Sequence, residues 1–127
     1  MIAIDTSAIM AILLNEAEAD VCAAVLGSDD ALIMSAGTLT ETLTVALRRN
    51  YSRQAKRLIE ELDIDIVALT PDSARRAADA YARWGKGVHP ASLNYGDCFA
   101  YELATTRNCP LLFVGNDFAQ TDVTSAL

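Results

Sequence analysis

The chain has 127 residues, 52% hydrophobic and 21% charged, enough to bury a core in one domain spanning residues 1–127 and too apolar for a disordered or collagen-like chain. The longest apolar run, Ala8 to Leu14, is seven residues against the about 20 of a membrane span, and the opening Met1-Ile2-Ala3-Ile4-Asp5 lacks a basic n-region and a cleavage site, so a soluble cytoplasmic protein without membrane contact is expected. The net charge of −7 argues against a general nucleic-acid coat, yet nine of the ten Lys and Arg residues lie between Arg48 and Lys86; this division suits polyanions at one region and cations at another, but charge alone favours a patchwork of solvated helix faces.

Ile2-Ala3-Ile4 reads as a buried strand, followed by a helix to Leu14 capped by Thr6 or Ser7. Glu16 to Leu26 reads as a second helix closed by Gly27, Leu32-Ile33-Met34 as a strand, and Ala36 to Arg49 as a longer helix. Ser52 caps an amphipathic helix with Ala55, Leu58, Ile59 and Leu62 on one face. Ile64 to Leu69 is the next strand. Thr70-Pro71 opens a helix with proline in its first turn, and Ala74, Ala77, Ala78 and Tyr81 are its expected inner stripe. A loop from Gly85 to Tyr95, a helix from Asp97 to Arg107 and a strand from Leu111 to Val114 complete the chain. Strands alternating with helices predict an α/β fold, a mostly parallel sheet covered on both faces.

In such a sheet, ligands bind beyond the carboxyl ends of the strands. Asp5 closes the first strand, Asp117 follows the last through Gly115-Asn116, and Asp97 opens a helix after the long loop. Singly, each has a structural explanation as a cap or a turn, Asp97 with Asn94 for example. Together they form a repelling cluster that raises its members' pKa values unless a cation enters. Mg²⁺ suits it, taking one or two carboxylates while keeping waters for a phosphate substrate. Cys22, Cys98 and Cys109 lack paired spacing, and the lone His89 precedes Pro90 in a loop, so no softer metal site competes. Glu41 is ambiguous. Leu39, Leu43, Ala46 and Leu47 form an apolar stripe, and Glu41 lies about 200° from Leu39 at ~100° per residue, a solvated position. It reaches a pocket only if its helix is covered on both sides, as Val45 hints.

Ala3-Ile4-Asp5-Thr6-Ser7-Ala8, Thr40-Glu41-Thr42-Leu43, Leu93-Asn94-Tyr95-Gly96-Asp97-Cys98-Phe99-Ala100 and Leu112-Phe113-Val114-Gly115-Asn116-Asp117-Phe118 occur in that order. Taken together they resemble a PIN-domain ribonuclease, specifically a VapC-type toxin of a toxin–antitoxin pair, over essentially the whole chain. The resemblance implies a three-layer sandwich and a four-carboxylate, Mg²⁺-dependent endoribonuclease site in which Mn²⁺ can substitute, acting on structured RNA such as tRNA or rRNA. Asp5, Glu41 and Asp97 carry over directly. The fourth position is Asp117, Asn116 or Asp122, with Asp117 preferred for its proximity to the strand end, and Ser7 matches a hydroxyl that supports the first aspartate.

The expected chemistry is attack by a water that the cation acidifies, and the resemblance implies products with a 5′-phosphate and a 3′-hydroxyl. Arg48, Arg49, Arg53, Lys56 and Arg57 are candidate phosphate contacts, although Lys56–Glu60 and Arg57–Glu61 also fit ordinary helix-surface pairs. A homodimer is expected, as is a VapB-like antitoxin whose arginine seats in the acidic pocket.

Rival readings fit less well. A phosphatase using Asp5 as nucleophile wants a second acid where Ser7 stands. A Mg²⁺-binding receiver-like module wants adjacent acids after the first strand and an acceptor Asp after a middle one; Asp5-Thr6 and Thr70-Pro71 meet neither requirement. A PIN module that binds RNA without cutting has no need of the retained acids.

Overall fold

A computed structural model describes all 127 residues. Four short strands, β1 (Ile2–Ile4), β2 (Leu32–Ser35), β3 (Asp65–Val67) and β4 (Leu111–Leu112), form one sheet. Its order is β3-β2-β1-β4, and every pairing is parallel. Six helices surround it: α1 (Thr6–Leu13), α2 (Ala19–Leu26), α3 (Ala36–Arg48), α4 (Ser52–Glu61), α5 (Pro71–Trp84) and α6 (Asp97–Thr106).

Strand alternation divides the core. Ala3, Ile33 and Leu111 point to the face covered by α5 and α6, where they meet Ala77, Trp84, Phe99 and Leu103. Ile2, Ile4, Leu32, Met34 and Leu112 point to the other face, against Ala8, Ile9 and Cys22 of α1 and α2 and Ile59 of α4. Both faces being buried, the strands read as continuous apolar runs. The result is the α/β three-layer sandwich expected from the sequence.

Growth of the sheet from β1 through β2 to β3, followed by a return to place β4 on the opposite side of β1, makes a topological switch between β1 and β4. A crevice opens beyond the strand ends at such a point. Asp5 and the Gly115–Asp117 segment both leave the sheet there.

Several local expectations are corrected. Asp5 itself, rather than Thr6 or Ser7, caps α1 by accepting the Ser7 amide. Helix α2 begins at Ala19, not Glu16, because the backbone turns through Glu16–Glu18 first. Strands β3 and β4 are shorter than their apolar runs. Ser52 begins α4 without a side-chain cap. On α5 the buried stripe is Ser73, Ala77, Ala80 and Trp84, whereas Ala74, Ala78 and Tyr81 are exposed. Abundant alanine leaves that helix without a clear phase, and Trp84 sets it, donating its indole N–H to Tyr101 Oη at 2.9 Å.

Helix α3 departs furthest from simple amphipathicity. Its fully buried positions are Thr38, Thr42 and Ala46, and Leu47, expected in the core, is 65% exposed. The helix packs against α1, α4 and α6 as well as β2 and β3, so no single hydropathy stripe describes it. Two of its threonine hydroxyls back-bond, Thr40 to Ala36 O and Thr44 to Thr40 O; the Thr42 hydroxyl lies within reach of both Thr38 O and Thr6 Oγ1, and Thr38 Oγ1 is buried without a partner.

Candidate active site

Asp5 leaves β1 with only 3% of its surface exposed. Its Oδ2 accepts two bonds from Ser7, from the amide at 3.0 Å and from the hydroxyl at 2.6 Å. Ser7 Oγ in turn accepts the Val114 amide at 3.0 Å, tying the aspartate to the chain leaving β4. Asp5 Oδ1 is buried and has no hydrogen-bond partner. Burial pushes the Asp5 carboxyl up to about 6; the Ser7 bonds oppose that shift and the Glu41 charge adds to it.

Asp97, 9% exposed, opens α6. It exchanges bonds with Asn94: Asn94 N–H donates to Asp97 Oδ2 at 2.9 Å, and Asp97 N–H donates to Asn94 Oδ1 at 2.8 Å. The structural explanation for Asp97 is therefore realised, but it does not neutralise the carboxylate. Burial raises Asp97 to about 7 against the Asn94 amide, with further increments from Asp5, Glu41 and Asp117. The charges felt by Asp97 are thus those of the other three candidate acids.

Glu41 is half-buried, not on a solvated face. Its Oε1 accepts the Thr6 hydroxyl at 2.7 Å, and its carboxylate occupies space that only a glycine at position 96 leaves open, since a Cβ there would collide with it. The hydropathy stripe mislocated this residue because α3 is covered on more than one side. Glu41 also lines a cleft of about 410 Å³ with Gly37, Thr40, Tyr95, Gly96 and Phe99.

Asp117 is exposed and immediately precedes the 3₁₀ turn Phe118–Gln120, and its exposed neighbour Asn116 lies in the bend before it. Asp122, the other candidate for the fourth position, is committed elsewhere: its Oδ1 accepts the Tyr101 hydroxyl at 2.6 Å and its Oδ2 lies 3.5 Å from Arg83. The five basic candidates are all exposed at the end of α3 and along α4. Arg57 pairs with Glu61 at 2.7 Å, no Lys56–Glu60 pair forms, and none of the five lines the Glu41 cleft. His89 is structural, its Nδ1 accepting the Ala91 amide and its ring standing edge-on to Trp84.

Sequence reasoning overlooked Thr6, Thr42 and Gly96 as parts of the Glu41 environment. The signal was there in the four threonines alternating from position 38 to 44, an unusual density of branched polar residues for a helix.

No group of three His, Cys, Asp or Glu side chains is already arranged to hold a metal ion. The residues nonetheless fit a hard divalent cation. Asp5 offers an unpartnered buried oxygen, all donors are carboxylates, and Mg²⁺ requires only one or two of them beside its waters.

The PIN domain family model matches residues 2–123. The fold is shared with a crystal structure of Mycobacterium tuberculosis VapC20, described as a sarcin–ricin loop cleaving toxin, at a TM-score of 0.81 and 17% identity, covering 99% of this chain and 98% of that one. A toxin–antitoxin complex from Klebsiella pneumoniae aligns at a TM-score of 0.70, 17% identity, and 96% and 93% coverage. Among curated proteins, Ribonuclease VapC28 of M. tuberculosis is 43% identical over 128 residues, covering 98% of this chain and 96% of the relative. Ribonuclease VapC30 of the same species is 41% identical over 123 residues, covering 94% of each. The chain belongs to the PIN-domain family and, within it, to the VapC ribonucleases.

Proposed function

We propose that this protein is an endoribonuclease toxin that hydrolyses phosphodiester bonds of structured cellular RNA, tRNA or rRNA, with Mg²⁺ or Mn²⁺ held by Asp5, Glu41, Asp97 and Asp117. The observation that carries this reading is Asp5 Oδ1, a buried acceptor without a hydrogen-bond partner, together with a second buried acid, Asp97, that no Lys or Arg side chain pairs. Such an atom costs about 1–3 kcal/mol; a site that receives a cation recovers that cost.

The chain's residues divide the work. Ser7 holds the Asp5 carboxylate by Oδ2 and leaves Oδ1 unpartnered. The Asn94 amide holds Asp97 by its Oδ2. Asp117, at the exposed rim, meets the entering substrate side. A bound divalent cation supplies polarisation of the scissile phosphate and acidification of water. A bond forms from water oxygen to phosphorus while the bond to the 3′ oxygen breaks, so the products are a 5′-phosphate and a 3′-hydroxyl. Arg48, Arg49, Arg53, Lys56 and Arg57 hold phosphates outside the pocket, and Asn116 and Ser7 support the carboxylates.

The protein acts in the cytoplasm and is neutralised by a VapB-like antitoxin. An antitoxin arginine in the acidic pocket pairs with carboxylates in place of the cation. Exposed Leu69, Tyr81 and Tyr95 border an apolar cleft and support a homodimer.

Purified protein with Mg²⁺ cuts a structured RNA, leaving 5′-phosphate ends, and EDTA stops it. Equal cleavage in EDTA contradicts the reading.

A further inference from the structure

Glu41 is the site acid whose position the backbone explains least. A glutamate has three side-chain torsions, and holding it in one geometry costs rotamer entropy, among the largest of any side chain. Something must fix it, and the structure contains one donor to it, the Thr6 hydroxyl at 2.7 Å. Thr6 is the first residue of α1, adjacent in sequence to Asp5, and is 7% exposed. Its Oγ1 also lies 2.9 Å from Thr42 Oγ1, which lies 2.8 Å from Thr38 O.

Hydrogen counting orders this chain. A carboxylate only accepts, so with Glu41 ionised the Thr6 proton points at Glu41. Thr6 Oγ1 then contacts Thr42 as an acceptor, and Thr42 has one proton for two acceptors, Thr6 Oγ1 and Thr38 O. Donation to Thr6 completes a chain Thr42 → Thr6 → Glu41, in which each bond polarises the next. Thr42 is fully buried on α3, so the chain is anchored in the core at one end and ends on a carboxylate at the other. Gly96 leaves the space that this orientation requires.

We propose that Thr6, backed by Thr42, is a positioning residue that turns Glu41 from the solvated side of α3 into the carboxylate cluster. One residue thus couples two acids: Asp5 through the backbone and Glu41 through its hydroxyl. The inference rests on the proposed role of Glu41 as a cation-site acid. Thr6 acts through Glu41 and touches neither cation nor RNA.

The test compares wild type with Thr6→Val, which keeps the shape and removes the hydroxyl, Thr6→Ser, which keeps the hydroxyl, and Thr6→Ala, which cannot crowd the site. Mn²⁺ binding is followed by electron paramagnetic resonance on each purified protein, and RNA cleavage is resolved into kcat and KM. Removing a group that orients a metal ligand typically costs 10–100-fold. Thr6→Val and Thr6→Ala are expected to weaken Mn²⁺ binding about 10-fold and to lower kcat about 10–100-fold with KM within about twofold, while Thr6→Ser stays within about threefold of wild type. If Thr6→Val does not fold, Thr6→Ala carries the test. Wild-type Mn²⁺ affinity and kcat in either folded variant overturns the proposal, as does a raised KM at unchanged kcat. A wild-type protein that neither binds Mn²⁺ nor cuts RNA refutes instead the reading of the site itself.

Discussion

Helix α6 buries two acids little more than a turn apart, and they have opposite surroundings. Glu102, 6% exposed, faces a cation: Arg76 of α5 lies 3.3 Å from its Oε1. Asp97, 9% exposed, has only the neutral Asn94 for a partner and three other carboxylates for neighbours. A buried charge is tolerated when paired, and otherwise its pKa moves or something charged comes to it. The α5–α6 interface solves the problem internally with an arginine. The crevice at the ends of β1 and β4 has no such internal cation at either Asp97 or Asp5, as the proposed cation site requires. Asp122 belongs with Glu102, held by Tyr101 and Arg83.

The sharpest way to break this comparison is to neutralise each acid of α6 in turn. Asp97→Asn is expected to lower RNA cleavage by about 10²–10³-fold while leaving the metal-free fold as stable as wild type or more so, because one repelling charge is gone. Glu102→Gln should do the reverse. It keeps cleavage within a few fold and loses roughly 1–2 kcal/mol of stability, a modest amount because Arg76 is half-exposed and regains water. Paired denaturant titrations and cleavage rates decide it, and equal loss of activity in both variants would erase the distinction.

A smaller effect is expected at Gly96. A Cβ there meets the end of a flexible Glu41 side chain rather than backbone, so Gly96→Ala folds but pushes Glu41 out of place. A displaced catalytic group costs up to ~10²-fold in rate. A fully active Gly96→Ala protein would mean that the Glu41 position is unimportant.

The smallest effect is in pH dependence. Folded Asp5 and Asp97 titrate near 6 and 7, against ~3.9 when unfolded. Between those values the native state binds protons that the unfolded state does not, so metal-free stability falls as pH rises from about 4 through about 7. Below about 4 both states are protonated and the difference vanishes. The midpoint of metal-free thermal unfolding should therefore drop by about 5 °C or more between pH 5 and pH 8, and Asp97→Asn should flatten the drop. A midpoint that rises equally with pH in both proteins contradicts the assignment.

Much of this was legible in the sequence, for identifiable reasons. Ile2-Ala3-Ile4 and Leu32-Ile33-Met34 announce doubly buried strands because both neighbours of every side chain are protein. Asp5 and Asp97 were legible only in company: each singly fits a cap, as the structure shows for both, but caps do not explain several acids gathered at the strand ends. Glu41 was legible only through the family resemblance. Its helix buries Thr38 and Thr42, which any hydropathy scale assigns to solvent, and exposes Leu47. The stripe on α5 failed for the opposite reason: alanines on every side give no phase until Trp84 fixes it. Proximity to the strand end favoured Asp117 over Asp122 in the sequence; the contacts that hold Asp122, from Tyr101 and Arg83, are remote in sequence and could not be read from it.

The most direct test is thermal unfolding at pH 8 with and without saturating Mn²⁺, for wild type, Asp97→Asn and Glu102→Gln. A ligand that binds only the folded state raises the midpoint. Mn²⁺ should raise it in wild type and in Glu102→Gln, and leave Asp97→Asn nearly unmoved. An equal rise in all three proteins, or no rise in wild type, would contradict a cation site built on the unpaired acids.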